Sequence, residues 1–303
     1  MRRAALAVGV TALALTVGGC GGSSGTGASS SGGTSGSGTA GATADAQLRS
    51  QLPADVKSKG TVIVATDATI GAPFASFAPD NKTIVGVNAD MAQAIGDLLG
   101  LQAKLVNTPF GTFIPGLQSK RYDFSISVML DTKAREKVVD FVDYIKDGSG
   151  FLVRADDSRT NLKLSDLCGV KAAAITGSVE ADDLATQSKA CEKSGKKAID
   201  INIFAENAQG VLALVSQRVD VWVGDSDQNA WLKTQDSGKV KQSGEPFDAA
   251  IDGIALPKGS SLVPVMQKTV QKLMDNGTYL KILKQYGVGD GAIPKATLND
   301  AQY

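Results

Sequence analysis

The sequence predicts an α/β fold with mainly parallel sheets and helices on both faces. Two observations point there. Segments with strand-like and helix-like apolar spacing alternate from residue 61 to residue 285. In addition, Leu117, Ser119, Arg121 and Asp123 stand at the spacing of Leu214, Ser216, Arg218 and Asp220. Both sets fall where a helix turns into a strand, an internal echo that suggests two similar lobes. Residues 45–303 are long enough for one large domain or two modest ones.

Residues 61–66 (TVIVAT) form a short apolar strand ending at Asp67, after which Gly71, Pro73 and Pro79 break the chain. Met91, Ala94, Ile95, Leu98 and Leu99 then recur at helical spacing, with Asp90 expected as the N-cap and Gly100 as the stop. A strand at 105–108, a short helix at 112–119 and a strand at 123–128 follow. The same order returns downstream. A strand at 171–175 leads to a helix capped by Ser178 and running toward Cys191. A strand at 199–204, a stripe of Ala208, Val211, Leu212 and Val215, and a strand at 219–223 come next. Residues 253–256 read as a strand before Pro257-Lys258-Gly259, and helices at 261–275 and 278–285 close the chain. Their apolar positions, Val265, Val270, Leu273, Met274, Leu280, Ile282 and Leu283, are expected to face a core.

The N-terminus carries a different message. Arg2 and Arg3 precede an apolar run over residues 4–19 that ends at Cys20. This has the layout of a lipoprotein export signal over residues 1–19, and Val17-Gly18-Gly19-Cys20 resembles a lipobox. An ordinary secretory signal with an incidental Cys is the alternative. The run is shorter than the ~20 apolar residues of a membrane span. The 24 residues after Cys20 are all Gly, Ser, Thr or Ala and cannot bury apolar surface. Residues 20–54 are therefore read as a lipidated Cys and a disordered tether, whose Gly/Ser/Thr/Ala part reaches about 25–30 Å. The expected location is the outer face of the cytoplasmic membrane. A tether suits a receptor that hands cargo to a membrane partner, because it raises local concentration.

Lys plus Arg and Asp plus Glu both number 31, and loss of Arg2 and Arg3 with the leader leaves 29 against 31. That balance argues against a nucleic-acid partner. The chain has no His, which removes Ser-His and Cys-His catalysis and most zinc sites; no cofactor or metal is expected. Once Cys20 is lipidated, Cys168 and Cys191 remain. Outside the membrane they are expected to form a disulfide, two buried free thiols being the alternative.

The ordered motifs resemble the family 3 extracellular solute-binding proteins, the polar amino-acid receptors of ABC importers. The carriers are Gly86-Val87-Asn88-Ala89-Asp90-Met91-Ala92-Gln93-Ala94-Ile95, Ile114-Pro115-Gly116-Leu117-Gln118-Ser119, Thr132-Lys133-Ala134-Arg135 and Val139-Asp140-Phe141. Val219-Asp220 through Asp225-Ser226, and Gly277-Thr278-Tyr279, continue the pattern. The resemblance implies a two-lobed, periplasmic-binding-protein-like fold with a ligand cleft between lobes. Lobe 1 would comprise 55–150 and 252–303, lobe 2 would comprise 153–247, and the chain would cross near 150–154 and 247–253. It also implies a free amino acid as ligand, an ABC permease as partner, a monomer, and a binding protein in place of an enzyme.

A buried amino acid needs a partner for each of its two charges. The resemblance gives the carboxylate to Arg135, whose planar fork matches both oxygens. By residue type alone Arg135 also reads as a solvated helical Arg beside Lys133, Glu136 and Lys137. Asp225 would take the ammonium, or serve as a helix cap. Gly177, Ser178 and Val179 would offer N–H groups at a helix start, or form an ordinary capped terminus. Phe110 would pack on the ligand or lie in the core. Asp67 would meet a side-chain donor or cap a turn. Val128 and Leu130 stand where the family carries Gly, Ser or another small or hydroxyl residue, which widens the ligand question to modified or bulkier amino acids. An enzyme on the same scaffold, using Glu180 or Glu206, and a ligand-sensing module are the alternative functions.

Overall fold

The computed structural model describes residues 44–235 and 238–302. The expected leader, Cys20 and the tether up to residue 43 lie outside the described residues. The elements in chain order begin with α1 (Ala46–Ser50), α2 (Ala54–Lys59), β1 (Thr61–Thr66), β2 (Ser76–Phe77) and β3 (Ile84–Val85). Next come α3 (Val87–Leu99), β4 (Gln102–Asn107), α4 (Phe113–Gln118), β5 (Phe124–Leu130), α5 (Lys133–Glu136) and β6 (Val139–Arg154). The series continues with β7 (Lys171–Ile175), α6 (Val179–Lys193), β8 (Asp200–Phe204), α7 (Asn207–Val215), β9 (Val221–Asp225) and α8 (Ser226–Gln235). It ends with β10 (Val240–Gln242), β11 (Phe247–Pro257), α9 (Val263–Asp275) and α10 (Thr278–Gln285).

One sheet runs in the order β4-β1-β5-β11-β6-β9-β7-β8, with β10 added beside β6. Its two ends are parallel: β1 pairs with β4 and β5, and β7 pairs with β8 and β9. Between them the long strands β6 and β11 run antiparallel. The first part of β6 pairs with β11 and its last part with β9 and β10, so one strand serves both ends. The register of β11 against β6 shifts between Phe247 and Ala250, opposite Asp147 and Ser149.

The cores follow this division. Leu99, Met91 and Ile95 of α3 pack with Val64, Ile126, Met266 and Leu283 at one end. At the other end, alternate positions of β7 and β9 feed two faces. Ala173, Ile175 and Trp222 pack with Ala213 and Leu214 of α7. Ala172, Ala174, Val221 and Val223 pack with Leu184 and Cys191 of α6. Period-two alternation of a strand buried on both faces produces this split.

Several expectations are corrected. Residues 44–54 are not tether: Asp45 caps α1, and Leu48 and Leu52 are buried against the α3 end of the core. The helix expected to begin at Asp90 begins at Val87, because Gly86 provides the N-terminal turn; Asp90 sits inside it and accepts from Tyr286 Oη at 3.0 Å. Leu280 is partly exposed. Gly100 does end α3 in the left-handed conformation, φ +64°. Strand β6 went unread in the sequence because Asp140, Asp143 and Asp147 interrupt its apolar run. Among the described residues no helix is long and apolar enough to cross a membrane.

Candidate functional site

Parallel α/β sheets place ligands at the carboxyl ends of their strands. Here the ends of β5, β7 and β9 converge on one cavity. Its lining includes Phe110, Val128, Leu130, Arg135, Ser178, Val179 and Asp225, seven of the nine expected ligand-binding residues. Asp67 and Gly177 do not line it. Asp67 is buried and turned onto its own loop, accepting from Thr69 N at 2.8 Å and Phe110 N at 3.2 Å. That is the turn-capping alternative, and burial raises its pKa. Gly177 offers its carbonyl to Arg135.

The Thr-x-x-Arg spacing has a local cause. Thr132 Oγ1 accepts from the backbone N of Arg135 at 3.2 Å and caps the one-turn helix α5. The cap turns the Arg135 guanidinium back over the sheet, where it donates to Leu130 O at 2.7 Å and to Gly177 O at 2.9 Å. It also lies 5.7 Å from the centre of the Phe110 ring. Five N–H donors make up a guanidinium, so these bonds leave donors for a carboxylate. Desolvation lowers the Arg135 pKa, while Glu180 and Asp252 oppose that shift.

Across the cavity, Ser178 caps the 15-residue helix α6 by accepting from Ala181 N at 3.2 Å. Its own N–H goes to Ile175 O. The remaining first-turn amides, beginning with Val179, suit an anion. Gly177 has φ +80°, and a Cβ there would lie 3.2 Å from Gly111 Cα. A Cβ on Gly111 would in turn meet Thr176 O at 2.9 Å. The two glycines let the β1–β5 and β7–β9 ends touch backbone to backbone beside Arg135. Val128 takes φ +42°, an unfavourable conformation for a β-branched residue. Its position in the cavity wall is one where Gly would relieve that strain.

Asp147, Glu180, Asp248 and Asp252 join Asp225 in the lining, and the sequence reading did not place the first, third or fourth of these there. Ser149 Oγ donates to Glu180 Oε1 at 2.8 Å, and Ser226 Oγ donates to Asp147 Oδ1 at 2.7 Å. Burial drives the Asp225 and Asp252 carboxyls well above the carboxylate range, with neighbouring carboxylates adding to it. The only sequence signal for Asp147 and Asp252 was an acid inside an apolar strand.

Buried carboxyls also set a pH dependence. Burial pushes Asp147 up to about 7, and Asp131, behind the site beside Asp143 and Glu136, up to about 8. In the folded chain these groups hold protons that the unfolded chain releases near its ordinary value of ~4. Stability from them is complete at low pH and is lost as pH rises toward 8. Asp157, held down at about 2 by Arg159, loses its contribution only in the acid range below that window. We expect the Tm without added amino acid to be several degrees higher at pH 5 than at pH 8. A Tm that rises with pH would place these carboxyls in water.

Residues 62–289 match the model of the bacterial extracellular solute-binding proteins, family 3. The chain belongs to that family. This family 3 protein is 27% identical over 255 residues to the arginine-binding protein ArgT of Corynebacterium glutamicum, covering 84% of this chain and 83% of that one. It superposes on an ancestral arginine-binding protein bound to glutamine with TM-score 0.68 and 31% identity, covering 76% of this chain and 98% of the other. It also resembles an ancestral amino acid-binding protein that is a precursor of cyclohexadienyl dehydratase, with TM-score 0.66 and 28% identity over 77% of this chain and 97% of that one. These solute-binding relatives share the two-lobed α/β fold.

Proposed function

We propose that the protein captures a polar amino acid between its lobes and delivers it, chemically unchanged, to an ABC permease. The observation that carries this reading is that Arg135 and Asp225 line one cavity. A zwitterion needs such an opposed pair when water is excluded. Arg135 takes the carboxylate with help from the N-terminus of α6, and Asp225 takes the ammonium. Phe110 covers the ligand, while Val128 and Leu130 replace hydroxyl contacts by apolar wall. The names of the relatives, which include amino-acid-binding proteins, support the ligand class. We place lobe 1 at 55–150 with 252–303 and lobe 2 at 153–247, and closure as a hinge motion at 147–149 and 247–252.

The anchor belongs to the same reading: cleavage after residue 19, lipid on Cys20, and a monomer tethered at the membrane face. An enzymatic role through Glu180 or Glu206 would need one of them free in the cavity. Glu206 lies outside the cavity lining, and Glu180 is engaged by Ser149. The test is thermal shift against the free amino acids and their common derivatives. At 100 times Kd a ligand adds about 2.7 kcal/mol, or about 5–10 °C for a chain of this size. Mass analysis after long incubation should return the ligand intact. No shift with any amino acid, or a transformed ligand, sinks the proposal.

A further inference from the structure

The two faces of the β7–β9 end give the cavity two sides. Asp225 is on β9, and Ser178, Val179 and Glu180 open helix α6; with Arg135 these groups handle the amino-acid end of the proposed ligand. The other side is built on α7. There Ile175 and Trp222 face α7, whose first residue is Asn207, and Ile70 closes the wall.

Two N–H donors on this second side have no acceptor among the described residues: Trp222 Nε1 and Asn207 Nδ2. Trp222 is fully buried and Asn207 is 2% exposed, so water does not compensate them from bulk. Buried donors of this kind are rare and costly. The indole Nε1 lies against residue 224, which is glycine. A Cβ on Gly224 would lie 2.7 Å from Nε1 and cover it, and Gly224 itself lines the cavity.

We propose that Trp222 and Asn207 form a side-chain subsite that accepts a neutral carbonyl oxygen, so that the ligand is a carboxamide or ureido amino acid; this rests on the amino-acid reading above. The chemistry excludes the neighbours. A guanidinium or ammonium has donors only and would leave both N–H groups unpaired. A side-chain carboxylate has acceptors but would face Asp147, Glu180, Asp225, Asp248 and Asp252 at close quarters. A carboxamide or ureido group brings an acceptor to the α7 side, and its own N–H groups suit those same carboxyl oxygens. Burial raises the Asp225 and Asp252 carboxyls above the ordinary carboxylate range, which lessens the negative charge of this wall.

The experiment is calorimetric titration of the full chain with glutamine, citrulline, ornithine and arginine, repeated on Trp222→Phe and on Asn207→Leu. The wild type should bind glutamine or citrulline at least about tenfold tighter than ornithine and arginine, the cost of one buried hydrogen bond left unmade. Trp222→Phe keeps an aromatic side chain and removes the N–H, and should collapse that preference toward unity. Asn207→Leu should shift it in the same direction, and it decides the matter if Trp222→Phe does not fold. Wild-type binding in which ornithine or arginine equals or exceeds the carbonyl ligands overturns the subsite, as does an unchanged preference in folded variants. Amino acids that bind with no preference refute the subsite alone. A chain that binds no amino acid refutes the receptor reading as well.

Discussion

Arg135→Ala should weaken amino-acid binding by between about thirtyfold and a few thousandfold. That range corresponds to the 2–5 kcal/mol lost when one partner of a desolvated, hydrogen-bonded charge pair is truncated. The α-carboxylate would remain in a cavity lined by Asp147, Glu180, Asp225 and Asp252 with its cationic partner gone. Thermal shift with saturating ligand reads the effect directly. The fold itself should tolerate the change, because Arg135 lies on a one-turn surface helix with half-buried side chain. The guanidinium does hold Leu130 O and Gly177 O, so the ligand-free melt should fall by about 1–2 kcal/mol. The Gly177 bond joins the two sides of the cleft, so the variant should also populate more open conformations in small-angle scattering. A variant that keeps its ligand-induced shift removes Arg135 from the site.

Reduction of the Cys168–Cys191 disulfide should cost about 3 kcal/mol, the value for closing a loop of this length. For a chain of this size the Tm should drop by about 6–12 °C. The bond joins the end of a short turn, Leu164–Leu167, to the last part of α6. Cys191 is buried with Leu184 and Leu167, so the cross-link fixes a helix whose other end carries Ser178 and Val179. Loss of the bond should therefore loosen ligand binding slightly as well as lower stability. Replacing both cysteines by Ala should reproduce the reduced melt. Labelling of both thiols under native, oxidising conditions would contradict the pairing.

The site was half legible from the residues. Thr132-x-x-Arg135 could be read because a threonine cap and a short helix are local, and the cap does set the arginine. Ser178 was legible for the same reason. Asp67 could be read two ways, since a carboxylate that caps its own turn and one that reaches into a cavity have the same neighbours in sequence. The N–H of Phe110, 43 residues away, draws the carboxylate inward. Trp222 and Asn207 were invisible. A tryptophan in an apolar strand and an asparagine at a helix start are ordinary core and terminus residues until packing leaves their N–H groups without acceptors.

By itself the sequence determined the alternation of strand and helix, the absence of histidine and the presence of Cys168 and Cys191, which pair. Those follow from periodicity, composition and short-range turn chemistry, which act over a few residues. Tertiary structure decided that β6 and β11 join the two ends of the sheet, that acids from four separate segments meet in one cavity, and that an indole N–H is buried beside Gly224 without an acceptor. Each of these depends on contacts between residues far apart in the chain, where register and burial, and no local preference, fix which groups face one another.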